Sequence, residues 1–174
     1  MSSMRIVTTP MCQRILELAG INDYIVSSNP DKINGDITVT LSETKTSSRS
    51  IKIKLNTFSQ ITESVKKLTE IFETTPLKYE ITNLIYSKNN NEKIKIKVYS
   101  NFLKEIVEDM GFTIVHENYD YIVYPDYMKD KILDEIKDNV KVVEVPSHKN
   151  APSDPIKRAE MRYNILERNL CTKH

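Results

Sequence analysis

Val140-Lys-Val-Val-Glu-Val145 is a β-type run, and ten residues later a helix begins; the residues between mark where each element stops. Pro146 ends the strand. Ser153 or Asp154 supplies a side-chain oxygen for the free N–H groups of a first helical turn, and Pro155 suits the first helical position. The helix then carries Ile156, Ala159, Tyr163, Leu166 and Leu170 at three-and-four spacing. A strand feeding a helix through one polar loop constrains the chain to an α/β arrangement. That loop gathers His148, Lys149, Lys157 and Arg158, with Asn150 and Ser153 as hydrogen-bonding neighbours. Cations around a helix N-terminus suit a phosphate group, although an ordinary solvated connection has the same composition.

The opening repeats the alternation. Arg5-Ile-Val-Thr8 reads as a short buried strand, Met11, Ile15, Leu18 and Ala19 as a helix that Gly20 can close, and Tyr24-Ile-Val-Ser27 as a second strand. Ile37-Thr-Val-Thr-Leu41 and the alternating Ile51-Lys-Ile-Lys-Leu55 are expected to pair as a hairpin with the polar tip 42–49. Phe58, Ile61, Val65, Leu68 and Phe72 predict a helix capped by Thr57. Tyr79–Tyr86 and Lys93–Tyr99 read as a second hairpin, with the lysines of Lys93-Ile-Lys-Ile-Lys-Val98 guarding an edge strand. A helix at 102–110, a hairpin of 112–116 with 121–124, and a helix from Pro125 to Ile136 complete the order. The spacing shows no internal repeat and no linker, so one α/β domain over residues 1–174, with a mixed twisted sheet flanked by helices, is expected.

The 174 residues carry a formal charge of +1, which gives no general basic field for nucleic acid or anionic lipid. No apolar run approaches the roughly 20 residues of a membrane span. Met1-Ser-Ser-Met4 is too short and polar for a signal peptide, and two distant cysteines make no disulfide framework; a cytoplasmic setting is the expectation.

With three glycines the chain holds neither a phosphate-loop motif nor a dinucleotide fingerprint. In open α/β sheets ligands bind beyond the carboxyl ends of parallel strands. If the first and last strands were parallel neighbours, Thr8, Thr9 and Arg14 would face His148, Lys149 and Lys157, an arrangement suited to a nucleoside triphosphate. Cys12 stands where a helix start would lower a thiol pKa, so a nucleophilic role is weighed against simple packing.

The opening strand–loop–helix and the closing strand, Ser147-His148-Lys149 and helix together resemble the inosine-triphosphate pyrophosphatase-type fold. Pro10 and Gln13 stand where that family has Asn and Lys, and its acidic Asp-Asp-Ser-Gly loop has no match. Over most of its length the chain is more similar to the methanogen guanylyltransferase family that builds the iron-guanylylpyridinol cofactor of Fe-hydrogenase. The resemblance rests on Arg5-Ile-Val-Thr-Thr-Pro-Met-Cys12, Ser42-Glu-Thr-Lys-Thr46 and Ser153-Asp-Pro-Ile-Lys-Arg-Ala-Glu-Met-Arg-Tyr163. It implies transfer of GMP from GTP to the 4-hydroxyl of a pyridinol, with pyrophosphate released, by a homodimer using Mg2+. In that chemistry His148 and Lys149 are the catalytic candidates. Thr8, Thr9, Arg14, Ser147, Asn150, Ser153, Lys157 and Arg158 would hold the nucleotide, Cys12, Thr44, Lys45 and Thr46 the acceptor, and Glu43 or Asp154 the metal. Three alternatives stay open: a nucleoside-triphosphate pyrophosphatase, a Cys12-dependent guanylylpyridinol-handling protein of the same pathway, and a non-catalytic nucleotide-binding module.

Overall fold

The computed structural model describes residues 4–79, 90–137 and 139–170. The chain divides into two compact units, one formed by Met1–Ile81 with Ser153–Ile156 and the other by Thr82–Pro152 with Lys157–His174. Each contains a four-stranded sheet, and every strand pair in both is parallel.

In the first unit the order along the chain is β1 (Ile6–Thr8), α1 (Gln13–Leu18), β2 (Ile25–Val26), β3 (Ile37–Leu41), β4 (Ser50–Ile53) and α2 (Phe58–Phe72). Across the sheet the order is β2-β1-β3-β4. The inner strands β1 and β3 are buried at every position, as parallel strands covered on both faces must be, whereas the edge strand β4 alternates. Helix α2 is fixed at its start by a capping box. The Thr57 hydroxyl accepts from the Gln60 N–H, and the Gln60 side chain accepts from the Thr57 N–H. Its stripe Ile61, Val65 and Leu68 is buried, at roughly 1.5–3 kcal/mol for each large side chain.

In the second unit the order is β5 (Lys95–Val98), α3 (Asn101–Asp109), β6 (Thr113–Ile114), β7 (Tyr121–Pro125), α4 (Lys129–Leu133) and β8 (Lys141–Val145), and α5 (Pro155–Leu170) closes the chain. The sheet order is β6-β5-β7-β8, the same 2-1-3-4 pattern as in the first unit. The two halves therefore share a topology that no sequence repeat announces. The α5 stripe Ala159, Tyr163, Leu166 and Leu170 is buried as its spacing predicts, and the Tyr163 hydroxyl donates to Asp109 at 2.7 Å.

The α/β class and most elements agree with the sequence reading, but the pairings differ. Two all-parallel sheets replace the single mixed sheet. The expected hairpin at 37–55 is instead the parallel pair β3–β4, in register Val39↔Ile51. Its eight-residue connection 42–49 can reach about 26 Å when extended, enough to run back along a five-residue strand of about 17 Å. Likewise β6 and β7 do not pair with each other; they lie on opposite sides of β5. That makes β5 an interior strand, so its lysines do not guard an edge. Lys97 instead pairs with Glu135 at 3.2 Å and lies 5.3 Å from the Tyr99 ring centre. The expected helix over 125–136 is shorter, a single 3-10 turn followed by α4. Most of the expected 79–86 strand lies outside the described residues. Among the described residues no helix is long and apolar enough to cross a membrane.

Candidate functional site

Strand β1 belongs to one sheet and β8 to the other, so the first and last strands are not the parallel neighbours on which a shared cleft was expected.

In the first unit several candidates are committed to the fold. Thr8 is fully buried, and its hydroxyl donates to the Val39 carbonyl at 2.9 Å across the β1–β3 pair, so it is a sheet residue and not a ligand contact. Thr9 is half-buried. Cys12 is fully buried immediately before α1, which removes the access a nucleophile or acceptor-binding thiol needs. Arg14 is exposed and reaches Glu17 at 3.0 Å and Asp154 at 3.7 Å. The Arg14–Asp154 pair was not among the contacts expected of the opening loop, which were with His148, Lys149 and Lys157. Asp154 also accepts from the Ile156 N–H at 2.9 Å, confirming it as the cap of α5. Ser153 is exposed.

The 42–49 loop is organised by a residue outside the expected set. Asp31 accepts from the Ser47 N–H and the Ser48 hydroxyl, and these bonds, led by the Ser47 backbone, hold its carboxyl below the usual range. Thr44 offers its carbonyl to the Lys52 ammonium, and Thr46 accepts from the Ser48 N–H at 2.9 Å. Lys45 and Glu43 are exposed, and Glu43 accepts from the Ser42 hydroxyl at 3.2 Å. Of the two carboxylates expected to hold a metal, Asp154 serves a helix cap and a guanidinium, and Glu43 is exposed in the 42–49 loop. Among the described residues no group of three or more His, Cys, Asp or Glu side chains is placed to hold a metal ion. A groove of about 280 Å³ beside β4 and α2 is lined by Lys52, Lys54 and Lys67. Lys52 is spent on Thr40 and Thr44, and Lys67 on the Lys52 carbonyl.

The second unit gathers polar groups at the carboxyl ends of its strands, where parallel sheets place their ligands. Asp126 follows β7, and Pro146 and Ser147 follow β8. Asp126 accepts from the Asn150 side-chain amide. Burial works against its charge, but Asn150, the Ser147 hydroxyl and backbone and the Tyr127 backbone outweigh it and hold the carboxyl below the usual range. Behind them lies Arg162, only 1% exposed, whose Nε–H donates to the Pro146 carbonyl at 3.1 Å and whose guanidinium sits 4.4 Å from the Phe102 ring centre. Burial, and then repulsion from Arg158, lowers its pKa to about 10, with Asp126 pulling the other way. Arg158 is equally buried, so its guanidinium is enclosed at the start of α5 and does not stand open to solvent. His148, Lys149, Asn150 and Lys157 are exposed, and Ser147 is half-buried.

Of the expected residues, Ser147 and Asn150 are therefore brought together, by an aspartate the sequence reading placed only at a helix start. Arg162 was missed as well. Its signal was available, since Arg158 and Arg162 fall beside Ala159, Tyr163 and Leu166 on the apolar stripe of α5, where a cation needs a reason to be.

No family model and no curated protein matches the chain. Among solved structures, it is similar to a chain described as nitrogenase Cp1 at pH 6.5, with a TM-score of 0.61, 14% identity and 98% of this chain covered. It spans 60% of the length of that chain, and at such identity the likeness concerns the fold alone. A second similar structure is the metal-dependent lipoprotein YcdH from Bacillus subtilis, at 10% identity over 98% of this chain and all of that one; its TM-score of 0.48 is too low to establish a shared fold.

Proposed function

We propose that the chain binds a phosphate-bearing small molecule at the carboxyl ends of the second unit's sheet. The observation that carries this reading is the buried Arg162 guanidinium, tied to the end of β8 and with its pKa depressed, in the same unit as the exposed His148 and Lys149. A buried cation costs free energy that an anion would offset. At the finer level, the sequence resemblance supplies the ligand: GTP, with Mg2+ carried on the triphosphate, and a pyridinol as acceptor of GMP. The nucleophile role of Cys12 is not part of this reading, because the thiol is buried. Hydrolysis of the triphosphate is the weaker alternative, since the acidic loop of the pyrophosphatases is absent from the sequence. The homodimer belongs to the same resemblance.

The test is incubation with GTP and Mg2+, with and without a 4-hydroxypyridine acceptor, followed by separation of the nucleotides. Pyrophosphate and a guanylylated product only with acceptor support the transferase. GMP without acceptor supports a pyrophosphatase. Binding without turnover leaves a binding module, and no binding of GTP or inorganic phosphate removes the proposal.

A further inference from the structure

Each open sheet has two edge strands, and an edge presents a row of unpaired N–H and C=O groups that proteins ordinarily blunt. Here β2, β4, β6 and β8 are the edges, and all but β8 are blunted. Strands β2 and β6 are only two residues long. Strand β4 is covered by side chains of α2. Bonds from the Thr38 N–H to the Arg49 carbonyl and from the Ser42 N–H to the Ile53 carbonyl turn Arg49 and Ile53 towards β3. The alternation of a strand then points the Lys52 and Lys54 carbonyls outward. The Lys67 ammonium donates to the first at 3.2 Å and the Ser64 hydroxyl to the second at 3.0 Å.

Strand β8 has five residues and no such cover. The Lys141 N–H donates to the Asp120 carbonyl, which turns the backbone of Lys141, Val143 and Val145 towards β7 and that of Val142 and Glu144 outward. Lys141, Val142 and Glu144 are exposed. Among the described residues nothing bonds to the outward N–H and C=O groups of Val142 and Glu144. The surroundings are apolar as well. Tyr127, Leu133, Ile136 and Val142, all between the end of β7 and β8, are 67%, 59%, 45% and 38% exposed. Ile132 packs with Ile122 and Tyr124, which lays α4 against β7, the neighbour of β8.

We infer that β8 is a homodimer interface, on which a second copy of this chain lays its own β8 antiparallel to form one continuous sheet. A strand edge is complementary to itself in that orientation, which favours a second copy as the occupant. A pair centred on Val143 sets Val142 opposite the partner's Glu144 and Lys141 opposite the partner's Val145. No like charges then face each other, and the outward groups of Val142 and Glu144 are satisfied on both strands. A five-residue strand pair alone falls short of the roughly 1,200 Å² that a stable interface buries. The exposed Leu133, Ile136 and Tyr127 supply apolar area beside it. Pairing at this edge needs no bound ligand, so it holds or fails apart from the reading above.

The experiment is sedimentation of the full chain from roughly 1 μM to 300 μM, without ligand. Wild type should pass from the mass of one chain to that of two and stop there, since a two-fold pair closes. Amide exchange at Val142 and Glu144 should slow about tenfold or more over the same range. Val142→Pro removes an outward donor and no bond to β7, and should weaken the dimer at least about tenfold. Val142→Lys keeps the backbone and should weaken it likewise, by placing a charge on the edge. Thermal midpoints at the dilute end, where wild type is a single chain, separate loss of pairing from loss of folding. Where Val142→Pro melts early, Val142→Lys carries the test. A mass of one chain throughout, growth past two chains, or a dimer that neither variant weakens overturns the inference.

Discussion

The carboxylate of Asp126 accepts a hydrogen bond from the side-chain amide of Asn150, which ties the turn leaving β7 to the loop leaving β8. Because the folded pKa of Asp126 is lowered, its contribution to stability is complete above the unfolded carboxyl value, near 4, and is lost as pH falls through the lower folded value. Urea midpoints measured from pH 6 down to pH 2 should fall in that window, and Asn150→Ala should reduce the fall. A variant with the same acid profile as wild type would show that the bond does not favour the charged form.

Gly20 has φ 78°, and a Cβ built there would lie 2.2 Å from the Thr75 carbonyl oxygen. Replacement by alanine combines left-handed strain with a clash against backbone, so Gly20→Ala should cost roughly 2 kcal/mol or more by urea denaturation. A loss under about 0.5 kcal/mol would mean that this turn after α1 is not held as described.

Asp154 and Arg14 form one pair with unequal consequences. Removing the α5 cap in Asp154→Ala should cost about 1 kcal/mol. The ion pair is 3.7 Å long and its Arg14 side chain is 44% exposed, so solvent screens it and Arg14→Ala should change stability by no more than about 0.5 kcal/mol. Equal losses in the two variants would place the energy in the ion pair and not in the cap.

Cys12 is fully buried. In a Cys171→Ser background a thiol reagent should label the native protein slowly, at a rate set by local opening, and the unfolded protein at once. Rapid stoichiometric labelling of native protein would restore the thiol as a reactive candidate.

Much of the fold was legible because short-range chemistry writes it. Thr57 with Gln60, Asp154 with Pro155, and Gly20 with its positive φ each mark an element boundary through residues no more than a few positions apart. The apolar stripes of α2 and α5 named their own buried faces. Strand pairing was not written that way. Ile51-Lys-Ile-Lys-Leu55 alternates equally well as a hairpin partner or as the edge of a parallel sheet, and a polar eight-residue loop serves both. Pairing direction depends on which faces the helices cover, which is a long-range fact.

The candidate site divides along the same line. Residue type alone drew attention to the 146–155 loop, and Ser147 and Asn150 are indeed held together there. It also nominated Thr8, Cys12 and Arg158, whose side chains the core takes up; burial depends on what packs against a residue, and neighbours in sequence do not say. The sequence by itself determined the α/β class, the helices and their caps, since hydrophobic period and end-capping act within one or two turns. Only the tertiary structure decided that there are two parallel sheets of the same strand order, and that Asp126, Asn150 and Arg162 belong together. Those groups are separated by 24 residues or more from Asp126, and only the register of β7 with β8 and the packing of α5 bring them within reach.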